Sequence, residues 1–229
     1  NLASGECLAA HARTEHGSPV RTKREKNGYV LDGIKPYVTN ARDARLIAVT
    51  ANNNNDIFLV ERDNPGLVTG EDMPRVGVLD TSLCSVYLND CNVPSKALLG
   101  GNENCGQQFL SETKVLALMN YTARAYGVLQ GLKSLVLESP SKALPNRDDT
   151  PTNIEERISK AKTFLDEAIN QFKGRSSSLP EYIASARAQT AQFCMATLAE
   201  MRCSYFYTNE TFARLYHDIP SLAIIGGKK

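Results

Sequence analysis

The stretch that most constrains the fold runs from residue 28 to residue 39 and reads Gly-Tyr-Val-Leu-Asp-Gly-Ile-Lys-Pro-Tyr-Val-Thr. Aromatic and β-branched residues, which are typical of strands, stand on both sides of the dipeptide Asp32-Gly33. An Asp-Gly pair favours the tight turns of hairpins, because both turn positions require a positive φ. The pattern therefore predicts two strands joined by a tight turn at Asp32-Gly33.

The rest of the first hundred residues carries further short strand patterns separated by turn residues. The polar run 52–55 predicts an exposed hairpin loop, and Asp63-Asn64-Pro65-Gly66 predicts a turn. Many short strands without intervening helices favour an antiparallel β barrel or sandwich over a parallel sheet. Besides the segment already described, the predicted strands cover residues 6–14, 44–51, 56–61 and 85–89.

After Gly106 the period of the apolar residues changes from two to about 3.6, which is the period of a helix. Prolines end the first helix, a capping box of Thr152 and Glu155 opens the second, and Pro180 suits the first turn of the third. Long helices joined by short breaks predict an antiparallel four-helix bundle. The fold class is therefore α+β, with a β domain over residues 1–100 and a helical domain over residues 101–229. The predicted helices cover residues 107–138, about 153–172, about 180–203 and 209–217.

The charge balance and the absence of long apolar runs exclude several classes of protein. Lys and Arg number 26 against 25 Asp and Glu, so no strong global field favours nucleic acid or an anionic membrane as a partner. No apolar run approaches the length that a bilayer requires, and the N-terminus lacks a signal-peptide pattern. We therefore expect a soluble cytoplasmic protein, or a protein of the mitochondrial matrix if the source is eukaryotic.

The cysteines and the first residue lead to two further expectations. Six cysteines show no Cys-x-x-Cys spacing, which favours reduced structural thiols over a zinc site or a disulfide framework. His11 and His16 have no second ligand at metal spacing, so we assign no metal. The chain begins with Asn1 and not with methionine, which suggests a fragment, a processed product or a subunit that lacks a first domain.

The order and spacing of these motifs resemble the acyl-CoA dehydrogenase superfamily of flavoproteins. The resemblance covers nearly the whole chain and implies a middle β domain followed by a C-terminal helical domain, with the family's N-terminal helical domain missing. It implies an FAD-dependent oxidoreductase that acts on the α and β carbons of an acyl thioester, carried by CoA or by an acyl carrier protein. The motifs that carry it are Gly5-Glu6, Thr14-Glu15, Gly17-Ser18, the segment 28–39, Asn64-Pro65-Gly66, Val93-Pro94 and Leu98-Leu99-Gly100-Gly101.

The resemblance also implies where a flavin would bind. In the family, backbone groups of the loop at Thr14-Glu15 and of the strand Tyr37-Val38-Thr39 contact the isoalloxazine ring, and an aromatic side chain covers one face. The loop is shorter here, because Pro19 directly follows Gly17-Ser18. Considered without the resemblance, these are also ordinary strand and turn residues, and both interpretations remain open. The cofactor-binding residues predicted in this way are Ala12, Thr14, Glu15, Ser18, Tyr37, Val38 and Thr39.

A catalytic base is the part that the sequence does not supply. Removal of the proton α to a thioester requires a carboxylate close to the substrate. The resemblance places this carboxylate at Gly226 or, in a minority of relatives, at Ala117, so the catalytic residues are unassigned. Glu112 and Glu200 remain as acids on predicted helices, and for each of them a solvated helix carboxylate is the favoured interpretation over a base.

Further departures from the family pattern leave two functions open. They comprise Leu118 in place of an arginine, Cys203-Ser204 in place of a Gly-Gly pair, and the loss of an Arg-x-x-Phe-Gly segment between residues 140 and 151. The first interpretation is a flavin-dependent dehydrogenase with degenerate catalytic residues. The alternative is a non-catalytic relative that serves as a binding or assembly subunit without flavin.

Two expectations concern the helical domain. Arg214 and Asp218 flank a segment that resembles a family helix, with His217 in place of its second arginine, and a structural ion pair between them is the simpler interpretation. Apolar residues beyond one stripe predict that the helices self-associate into a homo-oligomer or bind a separate N-terminal-domain subunit. These residues are Leu116, Leu118, Met119 and Tyr121 on the first helix and Phe193, Met195 and Leu198 on the third.

Overall fold

The computed structural model describes residues 2, 4–15, 17–75, 77–138, 153–201, 210–215 and 218. The chain divides into two compact units. The β unit comprises Asn1–Arg75 and Leu79–Ser111, and the helical unit comprises Val76–Val78 and Glu112–Lys229. The assignment of separate roles to residues 1–100 and 101–229 stays a prediction.

The β unit is built from two sheets. One has three strands in the order β1-β4-β5, and the other has four in the order β2-β3-β7-β6. β1 pairs with β4 in parallel, whereas the other described pairs are antiparallel. The strands are β1 (Ala9–Ala12), β2 (Arg21–Glu25), β3 (Gly28–Thr39), β4 (Leu46–Ala51), β5 (Asp56–Glu61), β6 (Leu67–Thr69) and β7 (Leu83–Pro94). The predicted α+β class is confirmed, with one parallel pair that the sequence did not indicate.

The predicted hairpin turn at Asp32-Gly33 is wrong, because residues 28–39 form one continuous strand, β3. The hairpin turn lies earlier, at Lys26-Asn27, between β2 and β3. Gly33 has a φ of 143°, and a Cβ added there would lie 2.9 Å from the Cα of Val20. A register shift against β7 falls between Leu31 and Gly33. The glycine therefore permits an irregularity and a close backbone approach within the sheet.

Most other strand predictions are confirmed with adjusted ends. β4 and β5 lie within the predicted ranges, and residues 52–54 between them have positive φ, as a tight hairpin loop requires. At the turn after β5, the side chain of Asn64 accepts a hydrogen bond from the Gly66 N–H at 2.9 Å. β1 is shorter than predicted and β7 is longer, extending over residues 83–94. β2 and β6 were missed, since β2 is charged and β6 has only three residues.

The core of the β unit consists of apolar side chains from both sheets. Tyr29 packs edge-on against Phe58 with the ring centroids 5.0 Å apart. Fully buried members of the same core include Val20, Leu31, Ile47, Val49, Val86 and Leu88. Burial of such side chains, each stabilising the fold by about 1.5–3 kcal/mol, holds the two sheets together.

The first three predicted helices are confirmed, and the fourth is confirmed over the residues that the structure describes. After a short 3₁₀ turn at Ser95–Ala97, the helices are α1 (Gly106–Glu138), α2 (Ile154–Lys173) and α3 (Leu179–Glu200), and residues 210–215 are helical as well. α3 ends at Glu200, since Met201 is extended. Thr152 of the predicted capping box lies outside the described residues. The residue at the N-terminus of α2 is Asn153, which has a φ of 65° and forms no capping hydrogen bond through its side chain.

The helices of the helical unit pack through two apolar clusters. One brings Leu129 and Leu132 of α1 together with Ala161 of α2 and Cys194 of α3. The second groups Leu118 of α1 with residues of α2 and α3. Of the helices in the described part of the chain, none is long and apolar enough to cross a membrane.

Candidate functional site

A buried lysine lies at the centre of the predicted cofactor site. The side chain of Lys35 on β3 has no exposed surface. Its Nζ donates hydrogen bonds of 2.8 Å to Oε1 of Glu15 and of 2.8 Å to Oγ1 of Thr50. The Thr50 hydroxyl lies 3.3 Å from the carbonyl oxygens of Ala12 and of Arg13, to which it can donate. This network connects β3 and β4 to the loop that follows β1.

The burial and charge of Lys35 make this network a strong constraint on the position of the loop. Desolvation lowers the pKa of Lys35, while its hydrogen bond to Glu15 and the charge of that carboxylate oppose the shift. A buried ammonium is tolerated only when it is paired and hydrogen-bonded. Removing one partner of such a pair typically costs about 3–5 kcal/mol, because the other charge is left uncompensated. Glu15, and with it the loop, is therefore held firmly against β3.

A bulge in β3 begins at Lys35 and turns Tyr37 outward. Lys35 pairs with Val86 and Val38 with Cys84, so β3 advances three residues while β7 advances two. Tyr37 has a φ of 56°. In a regular strand, Tyr37 would face the same side as Lys35, which is buried. The bulge instead leaves Tyr37 58% exposed.

The bulge therefore leaves two exposed side chains in β3 that are two residues apart. Lys35 and Val38 are buried, whereas Tyr37 and Thr39 are exposed. A positive φ is uncommon for a bulky residue, and such conformations concentrate at functional sites. The exposed aromatic ring of Tyr37 and the hydroxyl of Thr39 are thus available to a ligand.

The structure brings most of the predicted cofactor residues into one region of the β unit. Thr14 and Glu15 lie beside β3 because Glu15 binds Lys35, two residues before Tyr37. The side chains of Ala12 and Val38 are fully buried, so these residues can offer only backbone groups. Ser18 is exposed and takes no part in the Lys35 network.

Sequence reasoning missed Lys35 and Thr50, although a signal for Lys35 was present. Tyr29 and Leu31 are apolar and buried, and Lys35 has the same parity in the strand, so alternation places it on the buried side. A lysine on a buried face requires a carboxylate partner. Thr50 gives no comparable signal, since threonine is common in strands of every kind.

The environment of His11 is electropositive. Neighbouring atoms desolvate its imidazole, and the positive charges of Arg13 and Lys35 act in the same direction, so the pKa of His11 lies below its usual range. This shift favours the neutral form of the ring. Within the described residues, no group of three or more His, Cys, Asp or Glu side chains could hold a metal ion.

A separate cavity of about 300 Å³ lies at the other end of the β2–β3 hairpin. It is lined by residues 25–29 and by Asn92, Val93 and Pro94. None of the predicted cofactor residues contributes to it.

Comparison with known proteins identifies the β unit. Residues 11–91 match the family model of the acyl-CoA dehydrogenase middle domain, and this range includes every predicted cofactor residue. A crystal structure of an acyl-CoA dehydrogenase homologue from Mycobacterium smegmatis superposes with a TM-score of 0.88 over 98% of the chain. Residues 11–91 thus form a domain of the acyl-CoA dehydrogenase middle-domain type.

The similarity extends to individual members of the acyl-CoA dehydrogenase family over part of their length. Mitochondrial isovaleryl-CoA dehydrogenase of Pongo abelii is 31% identical over 147 residues, which cover 57% of this chain and 34% of that protein. The Mycobacterium smegmatis structure is 19% identical, and 65% of it is covered. A structure described as an FAD-dependent dehydrogenase has a TM-score of 0.79 at 19% identity, with 99% of this chain and 68% of that one covered. At 19% identity, the similarity to these two solved structures shows a shared fold.

The two positions at which the resemblance implies a catalytic base, Ala117 and Gly226, carry no carboxylate in this chain. Ala117 is an exposed residue of α1, and the adjacent Leu118 is buried in an apolar cluster. Gly226 lies outside the described residues, as do Cys203-Ser204 and the segment 140–151. The side chain of Glu112 also lies outside the described part.

Glu200, the other candidate acid, is engaged in an ion pair. Its carboxylate binds the guanidinium of Arg157 on α2, and this guanidinium also donates a hydrogen bond of 3.1 Å to Thr197. The pair links α2 to α3, which supports a structural role. Asp218 accepts a hydrogen bond of 2.6 Å from the N–H of Val78, and its predicted ion pair with Arg214 stays a prediction.

Proposed function

We propose that the β unit binds FAD on the face formed by the Thr14-Glu15 loop and the strand Tyr37-Val38-Thr39. The observation that carries this proposal is the bulge of β3, which exposes Tyr37 beside Thr39 while Lys35 holds the loop next to them. On this proposal, the protein that contains these residues is an oxidoreductase. It acts on the α and β carbons of an acyl thioester.

The residues at this face fit a flavin ring in their chemistry. An isoalloxazine has two apolar faces and an edge of hydrogen-bonding atoms. An exposed tyrosine can cover a face, with stacking worth about 0.5–1.5 kcal/mol beyond burial. The hydroxyls of Thr14 and Thr39 and the backbone N–H groups of the loop can bind the edge. When bound, FAD supplies the acceptor for the hydride that leaves the β carbon.

The family relationship supports the cofactor and the substrate class. One structural neighbour is an FAD-dependent dehydrogenase, and one relative is an isovaleryl-CoA dehydrogenase. The corresponding substrate of this protein is an acyl thioester carried by CoA or by an acyl carrier protein. The chain covers only 34% of that relative. The dehydrogenase activity of a whole enzyme is therefore part of this proposal.

A non-catalytic binding or assembly subunit is the second candidate, and the residues of the helical unit favour it. Ala117 offers no carboxylate, and Glu200 is held in an ion pair with Arg157. General-base catalysis contributes about 10²–10⁴-fold to a proton abstraction, so its loss would leave dehydrogenation slow even with FAD bound.

Self-association or binding to a separate N-terminal-domain subunit belongs to the same proposal. Leu116 and Met195 are 48% and 47% exposed, whereas Leu118 and Leu198 belong to the core. Exposed apolar residues indicate an interface where they form a contiguous patch. We expect a homo-oligomer by light scattering at micromolar concentration, and a monomer would contradict this part of the proposal.

The visible absorption of the purified full chain tests the proposed function. The chain is measured as isolated and again after incubation with excess FAD and gel filtration. One flavin per chain supports the flavoprotein and excludes the flavin-free scaffold. A colourless chain after reconstitution contradicts FAD binding and supports the non-catalytic candidate.

A further inference from the structure

We propose that Lys35 is a positioning residue of the flavin site, which holds the Thr14-Glu15 loop and the Tyr37 bulge in the arrangement that FAD requires. This inference rests on the proposed function and deepens it. On this inference, one buried side chain keeps the site ordered, although it does not itself cover the flavin ring.

Both parts of the candidate site depend on the same residue. The backbone of Lys35 stands where the register of β3 against β7 begins to shift, and Tyr37 is exposed within that shift. The side chain of Lys35 binds Glu15 in the opposite part of the site. A displacement of Lys35 would therefore move the loop and the aromatic side chain relative to each other.

The loop has few other attachments. β1 ends at Ala12, and residues 13–15 belong to no strand. Beyond the strand pairing of β1, the hydrogen bonds described for residues 13–15 are those of Thr50 to the Arg13 carbonyl and of Lys35 to Glu15. Thr50 itself accepts a hydrogen bond from Lys35. The ammonium group thus orients both attachments of the loop.

The burial of Lys35 explains why these contacts are rigid. A buried ammonium cannot exchange its partners for water, so it must keep Glu15 and Thr50 within hydrogen-bond distance. An exposed ion pair, in contrast, contributes little and opens readily. Lys23 on β2 provides such a comparison, since its side chain is 79% exposed and pairs with Glu25 at 3.4 Å.

The test compares Lys35→Met with the matched control Lys23→Met in the full chain. Each variant loses one ammonium group and keeps an unbranched side chain on the same sheet. Three quantities are measured: the Kd for FAD by titration well below the Tm, the Tm itself, and the rate of trypsin cleavage after Arg13 in the flavin-free chain. The last readout does not depend on FAD binding.

We expect Lys35→Met to weaken FAD binding about tenfold or more, in keeping with the loss of hydrogen bonds to a charged group. Cleavage after Arg13 should become faster, while Lys23→Met leaves both quantities at the parent value. Thr50→Ser, which retains the hydroxyl, should bind FAD as the parent does, whereas Thr50→Val should weaken binding. This pair of variants tests the same network if Lys35→Met does not fold.

Two results would overturn the inference. The first is a Lys35→Met variant with a lower Tm and an unchanged Kd for FAD, because Lys35 would then support stability alone. The second is cleavage after Arg13 that is no faster in Lys35→Met than in Lys23→Met. A parent chain that binds no FAD refutes the proposed function instead, and the cleavage rates still decide whether Lys35 orders the loop.

Discussion

The ammonium of Lys35 donates a hydrogen bond of 2.8 Å to the carboxylate of Glu15, which lies 20 residues earlier in the chain. Lys35 has no exposed surface, and the Glu15 side chain is 20% exposed. The bond joins a loop that resembles one part of a flavin site to a strand that resembles another. It accounts for how two segments that lie far apart in the sequence are held close together in the β unit.

Truncation of the exposed side chains of this face should affect flavin more than it affects the fold. Tyr37→Ala and Thr39→Ala remove side chains that bury little area, so the Tm should change little. The loss of a stacked aromatic should cost about 0.5–1.5 kcal/mol of flavin binding. Flavin content after gel filtration and the Tm are measured in parallel. Ile34→Ala, another exposed position of β3, is the control, and equal flavin content in all variants would remove Tyr37 and Thr39 from the site.

The chain as it stands should dehydrogenate acyl-CoA poorly or not at all. A positioned base typically contributes about 10²–10⁴-fold, and Ala117 supplies none. Ala117→Glu should restore some turnover with an artificial electron acceptor, because this exposed helical position tolerates glutamate at a cost of a few tenths of a kcal/mol. Ala117→Gln, of similar shape but without basicity, is the control.

Gly226→Glu tests, in the same assay, the other position at which the resemblance implies the base. A parent chain that turns over at the rate of a Glu-restored variant would contradict the assignment of these positions. Glu112→Gln would then be the next variant to measure.

The cysteines should differ strongly in their reactivity toward iodoacetamide. Burial raises the pKa of Cys91 to about 11 and that of Cys194 to about 12, so at mildly alkaline pH both remain thiols, which are poor nucleophiles. Cys7 and Cys105 are partly exposed. Peptide mass spectrometry should show Cys7 and Cys105 labelled first, with Cys91 and Cys194 labelled only after denaturation. Early labelling of Cys91 or Cys194 in the folded chain would contradict the described core.

The features that the sequence predicted correctly are those that local patterns determine. The apolar period over 107–138 is a property of one helix, and the loop at residues 52–55 follows from turn residues between two strands. Asp32-Gly33 was misread because a glycine that permits a bulge and a glycine in a tight turn have the same local signature. The site required long-range information, since nothing near Lys35 in the sequence specifies Glu15 or Thr50 as its partners.

Hydrogen–deuterium exchange of the full chain, with and without saturating FAD, tests the central claim most directly. FAD should slow exchange in peptides covering residues 12–18 and 35–39, because the loop and the bulge form the proposed binding face. Peptides from β5, residues 56–61, and from the turn at Lys26-Asn27 should exchange at the same rate in both samples. Protection confined to the cavity at residues 25–29 and 92–94, or no protection anywhere at saturating FAD, would contradict the account.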